Sequence, residues 1–311
     1  GNVVKSSSLY AILINNMKTK KILTVLILII VNFSIYAEEV EIKQKERKAN
    51  QIYFRRNNAY AAPNEFNMYN SLFPISLSLD IPSIQYNTFG FVRFLGDSKF
   101  SIEGYFYEYK KTNFAFDRAN LNTGILTKGN LGTYYRSEQN LFLNYHLIEN
   151  RVILNIGLQR FQSDLSDGRF GSYNYNFSQN FTGIVAGFTL ESPRFYGLYI
   201  SAGYRYSILN GYSHINYSVV TSGRNAETFE AKDNPFTKSF INELKVLLGF
   251  ELNDSILLSL GFIEQSAKVV QNRSQLMTSD PFYTTLVRSA IEYTAKNEYF
   301  NSTFASITYK Y

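Results

Sequence analysis

Residues 242–265 read NELKVLLGFELNDSILLSLGFIEQ, and this stretch decides the fold class. Every second residue of its first arm is apolar: Leu244, Val246, Leu248, Phe250 and Leu252. A period of two predicts a β-strand, because successive side chains of a strand point to opposite faces. The tripeptide Asn253-Asp254-Ser255 predicts a tight turn. The alternation then resumes in a second arm, with Ile256, Leu258, Leu260 and Phe262 on one face.

The length of the two arms indicates a membrane. A soluble strand has about 5–6 residues, whereas a strand that crosses a bilayer at a tilt needs about 9–11. Both arms reach the longer value. Their apolar faces are also contiguous, which disfavours a soluble all-β protein, whose outward faces would be polar. The stretch therefore predicts a membrane-spanning hairpin with an apolar face toward lipid and a polar, glycine-bearing face inward.

The composition limits the chemistry that the chain can perform. The 311 residues include 25 tyrosines, 26 phenylalanines and two histidines, but no cysteine and no tryptophan. The absence of cysteine excludes disulfides and thiolate metal sites. Two histidines without cysteine make a poor ligand set for a transition metal. We therefore expect neither a metal nor a cofactor.

The N-terminal segment has the layout of a secretory signal peptide. Met17 to Lys21 is basic, residues 22–31 form an apolar run, and Ala37 offers a cleavage site. The run is too short for a transmembrane helix, which needs about 20 residues. We predict a signal peptide at 17–37 and an extra upstream segment at 1–16.

The net charge changes when this segment is removed. The full chain carries a formal charge of +6. Taking Lys5, Lys18, Lys20 and Lys21 from the 31 basic residues leaves 27 against 25 acidic ones, a net charge of +2. Since nucleic-acid binding needs a basic surface, we expect no nucleic-acid partner.

The remaining chain divides into two parts. Residues 38–70 are rich in charge, with Arg55-Arg56 and Pro63, and predict a periplasmic stub and linker. From residue 71 to residue 311 the period-two pattern persists. Ten strands are predicted, at about 71–81, 85–95, 100–110, 134–148, 151–161, 180–191, 196–208, 240–252, 255–265 and 299–311.

The connections alternate in length. Short turns are predicted at 96–99, 149–150, 192–195 and 253–255, and long polar loops near 111–132, 163–178, 209–238 and 268–297. Short turns on one side and long loops on the other are typical of barrels in the bacterial outer membrane.

In these features, and in its closing segment STFASITYKY, the sequence resembles the outer-membrane β-barrel superfamily over residues 71–311. The resemblance implies a transmembrane antiparallel up-and-down β-barrel with an even number of strands. Ten fits best, and eight or twelve are the alternatives. It also implies that Tyr311 is a C-terminal assembly signal, that the barrel-assembly machinery and outer-membrane lipid are partners, and that the chain is in the bacterial outer membrane.

The polar positions of the strands predict what lines the lumen. Arg205, Glu243, Lys245 and Glu251 share the alternation class opposite the apolar residues. A lipid-facing Arg or Lys at mid-bilayer costs roughly 2–4 kcal/mol, so these charges must point inward. They could line a channel or ligand pocket. The favoured alternative is a filled interior in which the charges pair, because barrels near eight strands are just filled by side chains.

The histidines and aromatic residues give weaker signals. His214, at the base of a long loop, could act with Asp164, Asp167, Asp233 or Asp280, and with Ser213 or Ser218 nearby. No spacing here is diagnostic, and His146 lies near a short turn. The tyrosines and phenylalanines at strand ends predict interfacial girdles. We therefore predict a narrow or plugged pore, or a protein that presents surface loops to an unknown extracellular ligand, without catalysis. The alternatives are an outer-membrane hydrolase that uses His214 on protein or lipid, and an open porin-type channel.

Overall fold

The computed structural model describes residues 49–62, 83–112, 115–119, 126–130, 132–148, 151–170, 173–220, 228–233, 236–271 and 297–311. The predicted signal peptide, upstream segment and residues 71–81 lie outside these ranges. Within them, no helix is both long enough and apolar enough to cross a membrane.

Ten long antiparallel strands form the wall of a closed barrel. They are β1 (Gln51–Ala62), β2 (Ile84–Phe94), β3 (Phe100–Lys111), β6 (Thr133–Ile148), β7 (Val152–Phe170), β8 (Tyr173–Glu191), β9 (Leu198–Val220), β11 (Phe236–Glu251), β12 (Ile256–Gln271) and β13 (Asn297–Lys310). Each pairs with the next along the chain, and β13 pairs with β1 to close the wall. The predicted ten-stranded up-and-down barrel is confirmed, and eight and twelve strands are excluded.

Three short strands extend the wall. The pair β4 (Ala115–Ala119) and β5 (Leu126–Asn130) lies between β3 and β6 in sequence, and β10 (Thr228–Asp233) pairs with the far end of β9. All three lie at the end of the barrel opposite the short turns.

The pairing registers fix the tilt of the strands. Directly opposite residues, followed around the wall from Ile256, lead back to β12 at Lys268, twelve residues further along. Closing a barrel with such a stagger requires strands tilted by roughly 35–45° from the barrel axis. Every strand therefore presents one row of side chains to the lumen and one row to the outside.

The outward rows form an apolar belt next to the short turns. Leu158, Ile184 and Leu260 are 58%, 59% and 64% exposed, as expected of side chains that face lipid. Further from the turns the outward residues become polar, for example Gln139, Arg160 and Asn242. Because β7, β8 and β9 have 19, 19 and 23 residues, they continue well beyond the length needed to cross a membrane.

The start of the barrel differs from the prediction. Strand β1 occupies Gln51–Ala62 and pairs with both β13 and β2, so the prediction of a linker there is wrong. The alternation of β1 was hidden because its outward row turns polar after Ile52 and Phe54. Arg55 faces the lumen and Arg56 faces outward, so the doubled arginine does not look periodic.

Two of the predicted long loops are mostly strand. The predicted loop at 163–178 contains the ends of β7 and β8, and the one at 209–238 contains the end of β9, all of β10 and the start of β11. Where their side chains are described, the outward residues of these segments are largely polar, for example Asp164, Asn176 and Asn210, because they lie beyond the apolar belt. Such a row lacks the apolar alternation that predicts a strand. The segment 286–293, a candidate extra strand, lies outside the described residues.

Candidate functional site in the barrel lumen

The lumen holds a network of charged side chains from six strands, hereafter the lumen network. It contains four basic and four acidic residues: Arg55, Arg136, Arg205, Lys245, Glu103, Glu138, Glu243 and Glu298. Each occupies an inward position of its strand, where the alternation keeps it away from lipid. The equal numbers make the network formally neutral.

Arg136 is the centre of the half of the network further from the short turns. Its side chain, which projects from β6, is buried and forms an ion pair with Glu298 on β13. It also donates a 2.8 Å hydrogen bond from Nη2 to Oε1 of Gln265 on β12. Its guanidinium lies 4.5 Å from the ring centroids of both Phe161 and Phe300. Arg136 is therefore enclosed by partners from several sides of the barrel.

Glu138 occupies the next inward position of the same strand. One carboxylate oxygen accepts hydrogen bonds from Asn140 at 2.8 Å and from Gln159 at 2.9 Å. The other oxygen accepts a 2.8 Å hydrogen bond from the hydroxyl of Tyr107. That hydroxyl in turn accepts a 3.3 Å hydrogen bond from Nε of Arg136. The tyrosine links the two charged side chains.

Arg205 on β9 is the centre of the other half. Its guanidinium lies 3.2 Å from a carboxylate oxygen of Glu103 on β3 and 3.7 Å from one of Glu243 on the adjacent strand β11. It donates a 3.3 Å hydrogen bond to the hydroxyl of Tyr105 and stacks 4.1 Å from the ring of Phe142. Since β3 and β9 are four strands apart in the wall, this contact also crosses the lumen.

The space left between the two halves is small. A cavity of about 20 Å³ is lined by residues of both halves, among them Arg55, Lys245 and Glu138. A cavity needs roughly 10–15 Å³ to hold one water molecule. Lys245 forms no ion pair with the carboxylates that the structure describes, and Arg55 stacks on Phe304, with its guanidinium 4.4 Å from the ring centroid. The cavity is suited to water, not to a sizeable ligand.

Uncharged side chains fill the lumen beside Arg136. On one side, a buried apolar cluster comes from five successive strands: Phe161, Phe181, Leu209, Ile241 and Ala267. On the other side, the buried rings of Tyr86, Tyr107 and Phe300 pack with centroids 4.7–6.4 Å apart. Arg136 lies between these two groups, with its guanidinium over Phe161 of one and Phe300 of the other.

Glu251, the fourth predicted lumen residue, is not part of this network. It lies at the end of β11, where it accepts a 2.7 Å hydrogen bond from Arg194 in the β8–β9 turn and also pairs with Lys310 of β13. It therefore ties a short turn to two strands at the rim of the barrel. The structure brings Arg205 and Glu243 together, places Lys245 beside them, and separates Glu251 from all three.

Among the side chains that the structure describes, none forms a catalytic arrangement with His214. His214 faces outward on β9 and is exposed, whereas Ser213 is buried and faces inward. By register, the outward residues Asp164, Ser178 and His214 follow one another on β7, β8 and β9. Hydrolytic relays place the histidine between the acid and the nucleophile, but here the serine lies in the middle. Asp233 and Ser218 have no described side chains, and Asp280 lies outside the described residues.

The carboxyl group of Asp164 is half-buried beyond the apolar belt. Burial raises its pKa, and a 2.8 Å hydrogen bond from Gln162 acts in the opposite direction. In the part of the chain that the structure describes, no group of three or more His, Cys, Asp or Glu could hold a metal ion.

His146 is a buried residue of the inner face. Its Nε2 lies 2.9 Å from the hydroxyl of Ser101, and its ring packs against Phe94 with centroids 4.9 Å apart. Both contacts lie close to the short turns. His146 therefore contributes to packing at that end of the lumen.

Several network residues were missed from the sequence: Arg55, Glu103, Arg136, Glu138 and Glu298. Glu103 shares the inner face of β3 with three tyrosines. Because that row mixes a charge with aromatic residues, the sequence did not show which row of β3 faces the lumen. The signal that could have found it is the opposite row, which is Phe100, Ile102, Gly104 and Phe106. The rule that a charged side chain avoids the lipid face, which predicts an inward Glu243, applies equally to Glu103. Glu298 was missed because the last strand begins at Asn297, before the predicted start.

Comparison with solved structures finds matches of low sequence identity and low TM-score. The outer membrane protease OmpT from Escherichia coli matches at 12% identity and a TM-score of 0.44, covering 86% of this chain and 98% of that one. Neisserial surface protein A matches at 10% identity and 0.30, covering 84% and 97%. The transport unit of the autotransporter AIDA-I from Escherichia coli matches at 9% and 0.40, covering 91% and 97%. These values are too low for any activity to be transferred.

Sequence comparison places the chain in a family. No curated protein sequence matches it. The model of the family described as "Predicted outer membrane protein, Leptospiraceae" matches residues 46–311, which include all ten wall strands. The apolar belt and the closed wall agree with that description. The chain therefore belongs to this family of outer-membrane proteins.

Proposed function

We propose that this outer-membrane barrel is plugged by its own side chains, and that it serves as a scaffold that presents its outer strand extensions and loops to extracellular partners. The observation that carries the proposal is that the side chain of Arg136 extends across the lumen, from β6 to partners on β12 and β13. A pore would need this space for water and ions.

The energetics of the lumen network support a closed state. Breaking a buried ion pair by removing one partner costs about 3–5 kcal/mol, because the other charge is left uncompensated. Opening the lumen would have to separate both Arg136 from Glu298 and Arg205 from Glu103. Side chains that hold each other in this way favour a permanent plug over an open porin-type channel.

The length of the wall supports the scaffold part of the proposal. Strands β7, β8 and β9 continue past the apolar belt into polar segments, and β10 widens the sheet there. In a barrel whose short turns face the periplasm, these segments project from the outer surface. They offer a rigid platform for an extracellular ligand, whose identity a binding screen would establish. We also propose export through a signal peptide at 17–37, cleaved after Ala37, and insertion by the barrel-assembly machinery.

Conductance in a planar bilayer tests the plug. The purified barrel is reconstituted, and its folded state is verified by heat-modifiable migration on a gel. We expect small or undetectable current from the wild type, and a leak from a variant in which both Arg136 and Arg205 are replaced by alanine. Arg160→Ala, which changes an outward arginine, is the matched control. A large steady wild-type current that neither arginine affects would show an open lumen, and the porin alternative would replace the plug.

A further inference from the structure

The outer surface of the wall carries a groove that the proposed function does not use. It has a volume of about 400 Å³ and lies where β12, β13, β1 and β2 are adjacent. Its outward-facing lining residues are Leu260, Thr303 and Ala305 on one side, and Arg56, Asn58 and Gln85 on the other.

The small side chains on β13 create the groove. Ala305 lies directly between Leu260 on β12 and Arg56 on β1 in the pairing register. The outward residues nearer the turns are larger, namely Ile307 and Tyr309 on β13 and Phe54 on β1. The short methyl side chain of Ala305 therefore leaves a gap between longer neighbours. The gap is open to the outside and continuous with the apolar belt.

Arg56 supplies a positive charge at the edge of the groove. Its guanidinium donates hydrogen bonds of 2.9 Å to Oδ1 of Asn87 and 2.7 Å to Oε1 of Gln85. Both acceptors are neutral, so they fix the orientation of the arginine without compensating its charge. Among the carboxylates that the structure describes, none forms an ion pair with Arg56. Glu108, which is opposite Asn87 by register, accepts a hydrogen bond from Tyr135 instead.

The position of Arg56 along the membrane normal matches that of the lipid headgroups. Toward the turns, the outward residues of β1 are the apolar Ile52 and Phe54, and away from them come Asn58 and Tyr60. The neighbouring strand β13 changes at the same level, from Ile307 and Ala305 to Thr303. Arg56 thus lies at the outer edge of the apolar belt, where lipid phosphates are found and where a long cationic side chain reaches the interface.

We propose that this groove binds an anionic, phosphate-bearing membrane lipid of the outer leaflet. Arg56 contacts the phosphate, since a guanidinium forms strong charge-assisted hydrogen bonds with phosphate oxygens. One acyl chain lies over Ala305 and Leu260 in the gap. A second copy of the chain fits less well, because a symmetric contact through this face would bring two uncompensated Arg56 side chains together in a medium of low dielectric.

Native mass spectrometry of the detergent-solubilised full chain tests this site, with phosphatidylglycerol as the probe and phosphatidylcholine for comparison. We expect retained phosphatidylglycerol adducts on the wild type. Arg56→Gln should weaken their apparent affinity about fivefold, which corresponds to about 1 kcal/mol for one arginine near an anionic lipid surface. Ala305→Leu, which keeps the charge and fills the groove, should weaken binding as well.

Arg160→Gln is the matched control, because Arg160 is also an outward, exposed arginine at the edge of the belt but does not line the groove. It should leave binding unchanged. Heat-modifiable migration verifies that each variant is folded. Three outcomes would overturn the proposed lipid site. They are equal affinity for phosphatidylcholine, an equal effect of the two glutamine variants, and wild-type affinity in Arg56→Gln. A dimer that Arg56→Gln stabilises or abolishes would assign the groove to a second copy instead.

Discussion

Arg136 on β6 donates a 2.8 Å hydrogen bond to Gln265 on β12, which is the strand diametrically opposite in the ten-stranded wall. Four strands lie between them in either direction. The bond therefore spans the full width of the lumen, and the ion pair of the same arginine with Glu298 adds a second crossing contact. A single side chain connects parts of the wall that no backbone hydrogen bond joins.

The first prediction concerns the stability that Arg136 contributes. Arg136→Met removes the guanidinium but keeps most of the side-chain volume, and it leaves Glu298 buried without its cation. We expect a loss of about 3–5 kcal/mol in the free energy of unfolding. This loss is measured by urea unfolding of the barrel in lipid vesicles, with heat-modifiable migration on a gel as the readout of the folded fraction.

A double variant separates the charge from the packing. Replacing Glu298 by Gln in the Arg136→Met background removes the uncompensated carboxylate, so part of the lost stability should return. Arg160→Met, on the outer face, should stay within about 0.5 kcal/mol of the wild type. If Arg136→Met is as stable as Arg160→Met, the crossing contacts do not hold the lumen closed.

The fold followed from the sequence wherever one row of a strand is purely apolar. The arms around Asn253-Asp254-Ser255 became β11 and β12 because one row of each arm is continuously apolar next to the turn and faces outward. Strand β1 was missed because its outward row contains Arg56 and Asn58. Only a short part of that row faces lipid and is apolar, which is too little to show a period of two. The outer ends of β7, β8 and β9 were missed for the same reason. Beyond the belt, neither face needs to be apolar, and the period of two disappears.

The site was less predictable than the fold. Alternation tells which side chains point inward, and it placed Arg205, Glu243 and Lys245 in the lumen. It carries no information on which strands face each other across the barrel, because that depends on strand number and stagger. The contact between Arg205 and Glu103 joins residues 102 positions apart. Pairing of Glu243 with Arg205, in contrast, follows from adjacent strands in register.

The second prediction distinguishes the charges of the Arg205 half. Glu103 accepts hydrogen bonds from Arg205 at 3.2 Å and from Tyr53 at 3.3 Å. Glu103→Gln should therefore cost about 1.5–3 kcal/mol, the range for hydrogen bonds to charged groups. Lys245→Met should cost less or even stabilise the barrel, because it removes a charge that forms no ion pair with the described carboxylates. The same urea unfolding compares them, and a greater loss from Lys245→Met would contradict this order.

The third prediction concerns orientation. The chain has no cysteine, so single cysteines can be labelled without background. Cysteines at Ser172, Asn225 and Gln275 should react with an impermeant maleimide on intact cells, because they replace residues in connections opposite the short turns. A cysteine at Asp254, in the turn between β11 and β12, should react only after the cells are lysed. Labelling at Asp254 from outside would show that the barrel has the opposite orientation in the membrane.

The last prediction concerns Tyr311 as the signal for assembly. Its backbone N–H donates a 2.9 Å hydrogen bond to the carbonyl of Asn50, next to the start of β1, and its ring stacks on Tyr309 with centroids 6.3 Å apart. Because β13 and β1 close the wall, this residue lies at the seam where closure is completed.

Tyr311→Ser should lower the amount of folded barrel in the outer membrane severalfold and leave the stability of the molecules that do fold nearly unchanged. The side chain is 60% exposed, and exposed positions contribute little to stability. Cell fractionation gives the yield and urea unfolding of the purified protein gives the stability. Tyr196→Ser, which changes an 86% exposed tyrosine in the β8–β9 turn, is the control. An equal yield for the two variants would remove the assembly role, whereas a parallel fall in yield and stability would show that Tyr311 acts by holding the seam.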